Sequence, residues 1–270
     1  TSNSSSILNN VTISGNSASS NNGGGISFVN SSPSLESVTI TNNTASGNGG
    51  GIRCDESSPT LTNVTISGNS ASNDGGGISL YENSSPILEN VTITDNTASG
   101  GNGGGITIYE SSNPSLENVI ITGNSASESG GGIWCDYSNP ILVDVYIVAN
   151  SSGSGHGGGI NCYNSSSPTL TNVTISDNSS SGGYGGGIFI DDSANPTLTN
   201  VTITGNSSLL DGGGIIFWGS SPTLTNVTIS DNSSSGNGGG IYCNWSASPS
   251  LVNCILWNDS PQEIYIESGS

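Results

Sequence analysis

Lysine is absent from all 270 residues, and one arginine (Arg53) and one histidine (His156) stand against 20 aspartates and glutamates. With a formal net charge of -19, no basic patch exists to release counterions from a polyanion. Nucleic acid, anionic membrane surfaces and uronate polymers are therefore excluded as direct partners. No apolar run approaches the length needed to span a bilayer, so direct membrane insertion is excluded too, and no signal peptide is visible at Thr1. No stretch keeps helical spacing over ten residues, because Gly, Asn, Ser and Pro interrupt every run. The five cysteines include no C-x-x-C pair, which argues against a structural zinc site.

Charged residues make up 8% of the chain and hydrophobic residues 31%, figures that read without order would suggest disorder. Order overrides them. The isoleucines that follow each Gly-Gly-Gly are Ile26, Ile52, Ile78, Ile106, Ile133, Ile160, Ile188, Ile215 and Ile241, in steps of 26 to 28 residues. Nine of the ten prolines open the same unit, which reads P-x-L-x-N-V-T-I-(S/T)-x-N-x-A-S, a short loop, then G-G-G-I. An array of this period over the whole chain, 1–270, predicts one repeat domain.

Val64 and Ile66 alternate with Thr65 and Ser67, and Ile78 and Leu80 with Ser79 and Tyr81. That two-residue rhythm marks half-buried strands. Three short strands per unit, Pro-x-Leu, Val-Thr-Ile-Ser and Gly-Ile-x-x, predict an all-β parallel β-helix of about ten coils, stacked at about 4.8 Å per coil. Inside it lie columns of like residues, such as Leu35, Leu61 and Leu88, or Ile40, Ile66 and Ile93.

Asparagines recur with the coils. Asn16, Asn43, Asn69, Asn96, Asn124, Asn150, Asn178, Asn206 and Asn232 follow the Val-Thr-Ile strand. An amide that both donates and accepts can bond to its copies along the axis, and asparagine tolerates the left-handed backbone of a corner. A second file, including Asn10, Asn63, Asn90 and Asn118 with Ser37 and Asp144 as substitutes, marks the preceding corner.

The stretch SSPTLTNVTISGNSA followed by GGGI resembles the repeats of right-handed parallel β-helix proteins of bacterial and archaeal surfaces. These include adhesins with glycine-glycine-aliphatic repeats such as the chlamydial polymorphic outer-membrane proteins, although Ile-(Ser/Thr)-x-Asn stands here in place of Phe-x-x-Asn. The C-terminal NCILWNDSPQEIYIE is similar to a stretch that closes such arrays in large secreted proteins. The resemblance implies a secreted or cell-surface rod and no particular reaction, because lyases, adhesins and phage spikes share the coil. The chain begins in mid-coil and shows no capping helix, so the expectation is a processed piece of a longer chain or a subunit that stacks on itself into a filament.

Chemistry-bearing residues are few. Arg53 and His156 lie four coils apart, roughly 19 Å on the stacking distance, too far to cooperate as a lyase would need. Asp55, Glu56, Glu82 and Glu110 line up on consecutive coils, a candidate Ca²⁺ site or carboxylate pair, but as an exposed acidic edge they read first as solubilising. Asp191 and Asp192 form a separate pair. His156, in SSGSGHGGG, reads as an exposed loop residue. Cys54, Cys135, Cys162 and Cys243 take the place of core residues, with Cys135/Cys162 and Cys243/Cys254 near enough in the array to raise a disulfide. The Asn-x-Ser/Thr triplets arise from the repeat itself and carry little weight as glycosylation sites.

Two outward files remain. On the Gly-Ile strand, Tyr81, Tyr109, Trp134, Tyr163, Phe189, Trp218 and Tyr242 are expected on the solvent side, with Tyr137 and Trp245 at the strand end. Exposed aromatics beside acids suit a sugar-stacking groove or a protein contact face. On the Val-Thr-Ile strand, Thr12, Thr39, Thr65 and Thr92 with Ser14, Thr41, Ser67 and Thr94 form hydroxyl columns like those of ice-binding solenoids, but Ile120, Tyr146, Val148, Ile255 and Trp257 interrupt the file. The reading is thus an extracellular or cell-surface structural or adhesive rod without catalysis. Its partners are further copies of itself or a surface glycan or protein, with carbohydrate binding or cleavage as the alternative and ice binding third.

Overall fold

In the third coil the chain makes Thr60–Thr62, turns, makes Thr65–Ser67, turns again into Ser70–Ala71, then loops through glycines into Ile78–Tyr81. A computed structural model describes residues 6–19, 22–191 and 193–267 of the chain, and this path recurs throughout them. Each strand between the end coils hydrogen-bonds to its copies in the coils before and after, so four parallel sheets of ten, ten, nine and ten strands run the length of a solenoid. No helix occurs among the described residues. Asp192 lies outside them.

Register is in phase, which follows from the constant repeat. Leu61 pairs with Leu35 and Leu88, Ile66 with Ile40 and Ile93, and Ile78 with Ile52 and Ile106. Each of these side chains is buried in a single continuous core. At roughly 1.5–3 kcal/mol for each fully buried aliphatic side chain, the columns supply the main stabilisation of a chain so poor in apolar residues.

Three strands per coil were expected, and the structure adds a fourth, of two residues. Ser70–Ala71 pairs with Thr44–Ala45 and Thr97–Ala98, its alanine buried and its hydroxyl residue facing out. Small side chains are needed there because the neighbouring Gly-Gly-Gly passes close by. Gly49 has φ +70°, and a Cβ on Gly51 would lie 2.7 Å from the carbonyl oxygen of Gly77 in the next coil. No side chain fits at that distance.

The left-handed corners also differ from expectation. The second asparagine file does occupy them, with φ near 55° at Asn63 and Asn90 and at Ser37 and Asp144. The first file does not: the residue before each of its members turns left-handed instead, as at Asn42, Gly68, Asp95 and Ala149. This frees Asn43, Asn69, Asn96 and Asn124 to point inward, where they are fully buried. The Nδ2 of Asn69 donates to Asn96 Oδ1 (2.9 Å) in the next coil and to the Ile40 carbonyl (2.9 Å) in the previous one, and the Asn69 N–H also donates to Asn96 Oδ1 (3.0 Å). Each amide is thereby satisfied inside an apolar core. The ladder ends on Asp259, whose Oδ1 accepts from the N–H and the Nδ2 of Asn232 (2.8 and 2.9 Å).

Candidate functional site

The Gly-Ile strands carry two outward columns, one two residues before the other. The outer one holds Asp55, Tyr81, Tyr109, Asp136, Tyr163 and Trp218; the inner one holds Arg53, Ser79, Thr107, Trp134, Asn161, Phe189, Ile216 and Tyr242. The glycine-rich loop that enters each strand folds back over the inner column. Thr107 Oγ1 donates to the Asn102 carbonyl in that loop (2.9 Å), and Asn161 Nδ2 to the His156 carbonyl (3.4 Å). Trp134, Phe189 and Tyr242, expected on the solvent side, are consequently only 7%, 4% and 5% exposed.

The loops are themselves in register. From Asn48 to Ser129 the side chain of the residue before the Gly-Gly-Gly accepts the backbone N–H of its counterpart one coil on: Asn48 Oδ1 from Asp74 (3.0 Å), Asp74 Oδ1 from Asn102 (2.7 Å), Asn102 Oδ1 from Ser129 (3.0 Å), Ser129 Oγ from His156 (3.0 Å). At His156 an imidazole takes over, its Nδ1 accepting from Tyr184 N (3.2 Å). Two rings thus replace two small polar residues, and the outer wall of the loops opens beside them.

The opening is a groove of about 520 Å³ across the coils of Trp134, Asn161, Phe189 and Trp218. His156 and Tyr184 stand on the loop side, with Tyr163, Asp191 and Trp245 on the strand side. The His156 ring stacks on Phe189 (centroids 4.6 Å apart, 25° between planes) and lies 5.2 Å from Tyr184. Tyr184 meets Trp218 edge-on at 5.5 Å, and Trp218 lies 5.5 Å from Trp245. Such contacts hold the rings in place; Trp245 keeps most of its surface free and His156, Tyr184 and Trp218 part of theirs, while Phe189 is covered. Asn164 reaches the groove with its Nδ2 fixed on Asp136 Oδ1 (2.7 Å); burial pushes the Asp136 carboxyl up, and this hydrogen bond opposes the rise. His156 is therefore a half-buried wall rather than an exposed loop residue, and burial holds its imidazole below the ordinary histidine value.

Of the seven aromatics expected on one face, Trp134, Tyr163, Phe189 and Trp218 meet in the groove. Tyr81 and Tyr109 continue the file away from it, with Tyr109 4.5 Å from Trp134 and 6.3 Å from Tyr81, and the Arg53 guanidinium sits 4.7 Å over the Tyr81 ring. Tyr242 belongs elsewhere, stacked on Tyr265 at 5.4 Å with its hydroxyl donating to Glu267 Oε2 (2.8 Å). Sequence reasoning missed Tyr184, Asn161 and Asn164, though the change from Asn, Asp and Ser to His156 and Tyr184 before the glycines was visible in the text.

Asp55 lies 3.9 Å from Arg53 Nη2, and Glu56, Glu82 and Glu110 occupy left-handed positions (φ 45°, 44° and 47°) just past their strands. Among the described residues, no group of three or more His, Cys, Asp or Glu side chains is placed to hold a metal ion. All five cysteines are free thiols, including Cys135 and Cys162, which are register partners. The hydroxyl columns are in register from Thr12 to Thr92 but give way to exposed Ile120 and Tyr146.

Four parallel sheets wound in one direction around a laddered core define a right-handed β-solenoid with a lateral aromatic groove. The family described as right handed beta helix region matches at residues 2–118, 50–228 and 158–270, and the chain belongs to it. No curated protein matches the sequence. Among solved structures, the crystal structure of a TibC-catalyzed hyper-glycosylated TibA fragment is similar at 16% identity, over 91% of this chain and 99% of that one, with a TM-score of 0.20, a likeness too loose to argue from.

Proposed function

We propose that this chain is a non-catalytic adhesive rod of the extracellular or cell-surface kind, which holds carbohydrate in the groove beside His156 and Tyr184. The observation that carries this reading is the meeting of Trp134, Tyr163, Phe189, Trp218 and Trp245 with the polar Asn161, Asn164 and Asp191 in one groove of about 520 Å³. Sugar rings have apolar C–H faces that stack on indole and phenol, and hydroxyl rims that need donors and acceptors at the edge. Both are present. The platform is rigid because its strands are hydrogen-bonded on either side, so little ordering is left to binding.

Three of the four tryptophans line the groove, which makes intrinsic fluorescence a direct readout. Titration of the full chain with a panel of oligosaccharides is expected to shift the emission with at least one of them, and Trp218→Ala to weaken that binding by tenfold or more, as loss of an aromatic anchor does. The sugar is expected to be recovered intact. Release of reducing ends would replace adhesion by hydrolysis, and binding that is indifferent to Trp218→Ala would remove the groove from the account.

A further inference from the structure

Asn161 is 3% exposed, and its side-chain oxygen has no hydrogen-bond partner. The orientation of the amide is fixed by its surroundings: the His156 carbonyl at 3.4 Å can only be met by the NH₂ group, which leaves Oδ1 on the other side. The fold does not require an amide there. Thr107 does the same work two coils earlier, donating its hydroxyl to the Asn102 carbonyl, and other members of the column are Trp134, Phe189 and Ile216. What asparagine adds is an acceptor, placed in a residue that lines the groove between two aromatic platforms.

The charges around it are of one sign. Asp191 lines the groove, Asp136 holds Asn164 at its edge, and the one arginine of the chain, Arg53, is occupied with Ser79 (2.8 Å) and Tyr81. A carboxylate on a ligand would find no counter-ion in the groove and would face acceptors.

We infer, resting on the carbohydrate reading above, that the groove selects an uncharged, hydroxyl-rich saccharide over an acidic one, with Asn161 Oδ1 accepting a ligand hydroxyl as the determinant of specificity. Asn161→Thr tests the role directly, because threonine keeps the bond to the loop, as Thr107 shows, and takes away the amide oxygen, leaving its own hydroxyl engaged at the loop carbonyl. Neutral oligosaccharides of glucose, mannose, galactose and N-acetylglucosamine would be titrated against the full chain beside oligogalacturonate and sialyllactose, at low and at physiological salt. The expected result is binding of a neutral sugar with acidic sugars at least tenfold weaker, a loss of about tenfold in Asn161→Thr, and an unchanged melting temperature in that variant. Equal binding of acidic and neutral sugars overturns the selectivity, and unaltered affinity in Asn161→Thr overturns the role of Asn161, while in both cases the carbohydrate reading stands. If no saccharide binds at either salt concentration, that reading falls and this inference with it.

Discussion

His156 Nδ1 accepts the backbone N–H of Tyr184 at 3.2 Å, which requires the imidazole to be unprotonated at that nitrogen. A proton arriving there would turn the acceptor into a donor facing a donor. Burial already disfavours the charged ring, so its value lies below the ordinary one of about 6.5. The folded chain therefore binds fewer protons at this site than the unfolded chain does. Stability from His156 is complete above pH of about 6.5 and is lost as the pH falls from there towards the lowered folded value. Tryptophan emission from the groove is expected to change over that interval, and His156→Asn, which restores the amide acceptor found at Asn102, to abolish the change. A midpoint that persists in His156→Asn would assign the titration to another group.

The amide ladder gives a second prediction. Asn124 Nδ2 donates to Asn150 Oδ1, to the Ile93 carbonyl and to the Thr122 carbonyl, while Asn124 Oδ1 accepts from the N–H and Nδ2 of Asn96. Asn124→Leu would leave several buried polar groups unpaired at once, and at about 1–3 kcal/mol for each the cost is expected to be about 3 kcal/mol or more. Urea unfolding measures it. Removing an amide from the exposed file, as in Asn200→Ala, is expected to cost about 1 kcal/mol, because its side chain bonds only to Asn172 Oδ1 (3.2 Å) and Asn226 (3.1 Å) in contact with water, and its left-handed φ of 55° adds a small strain for alanine.

The core was legible in the sequence because Leu61, Val64, Ile66 and Ile78 recur with a constant period and alternate with polar residues, and both properties survive in the text. Ser70–Ala71 escaped notice as a strand because two small residues show neither alternation nor strand propensity; the neighbouring coils impose the conformation. The groove was half legible. Trp134 and Phe189 point outward from the strand as their positions imply, but whether outward means solvent depends on the covering loop, and loops of variable length built from Gly and Ser announce no such contact. His156 and Tyr184 stand out only once the loops are known to stack, for then each residue before the glycines has a defined neighbour and a ring there is an anomaly.

Thiol chemistry separates the cysteines. Burial pushes the Cys54 and Cys162 thiols up to about 12 and Cys243 to about 11, and raises Cys135 as well. The thiolate is the reactive form, so these four are expected to resist a neutral-pH thiol reagent in the native rod. Cys254 is half-buried, and its sulfur lies against the Leu224 and Val252 carbonyls (3.6 and 3.5 Å) at an accessible corner. One thiol per chain is expected to react natively and five in denaturant; two or more reacting quickly in the native state would show that the core opens at one of the buried sites.

The last rung of the ladder is the one that sequence symmetry hides, since Asp259 stands where every earlier member is asparagine. Its Oδ1 does the ladder's work, but Oδ2 is buried without a hydrogen-bond partner, and Glu263 Oε2 accepts from its N–H at 3.4 Å. Burial, with Glu263 adding to it against the hydrogen bonds from Asn232, lifts the Asp259 carboxyl to about 6. A raised carboxyl means that the folded chain holds its proton longer than the unfolded one, so the charged side chain opposes folding at neutral pH. That opposition fades as the pH falls from about 6 towards the ordinary value of about 3.9. Asp259→Asn replaces the orphaned oxygen by an NH₂ that, by the pattern of Asn232 and the Ile203 carbonyl, has a carbonyl one coil back to meet. It is expected to raise stability at pH 7 by about 1 kcal/mol or more, since it removes the buried charge and gains a hydrogen bond, and to change stability little near pH 4, where the protonated Asp259 carboxyl is neutral and can itself donate. Thermal unfolding of both proteins across pH 4–8 checks this. If Asp259→Asn is instead destabilising at neutral pH, the carboxylate must be making a contact that an amide cannot replace, and the ladder would end by design on a charge.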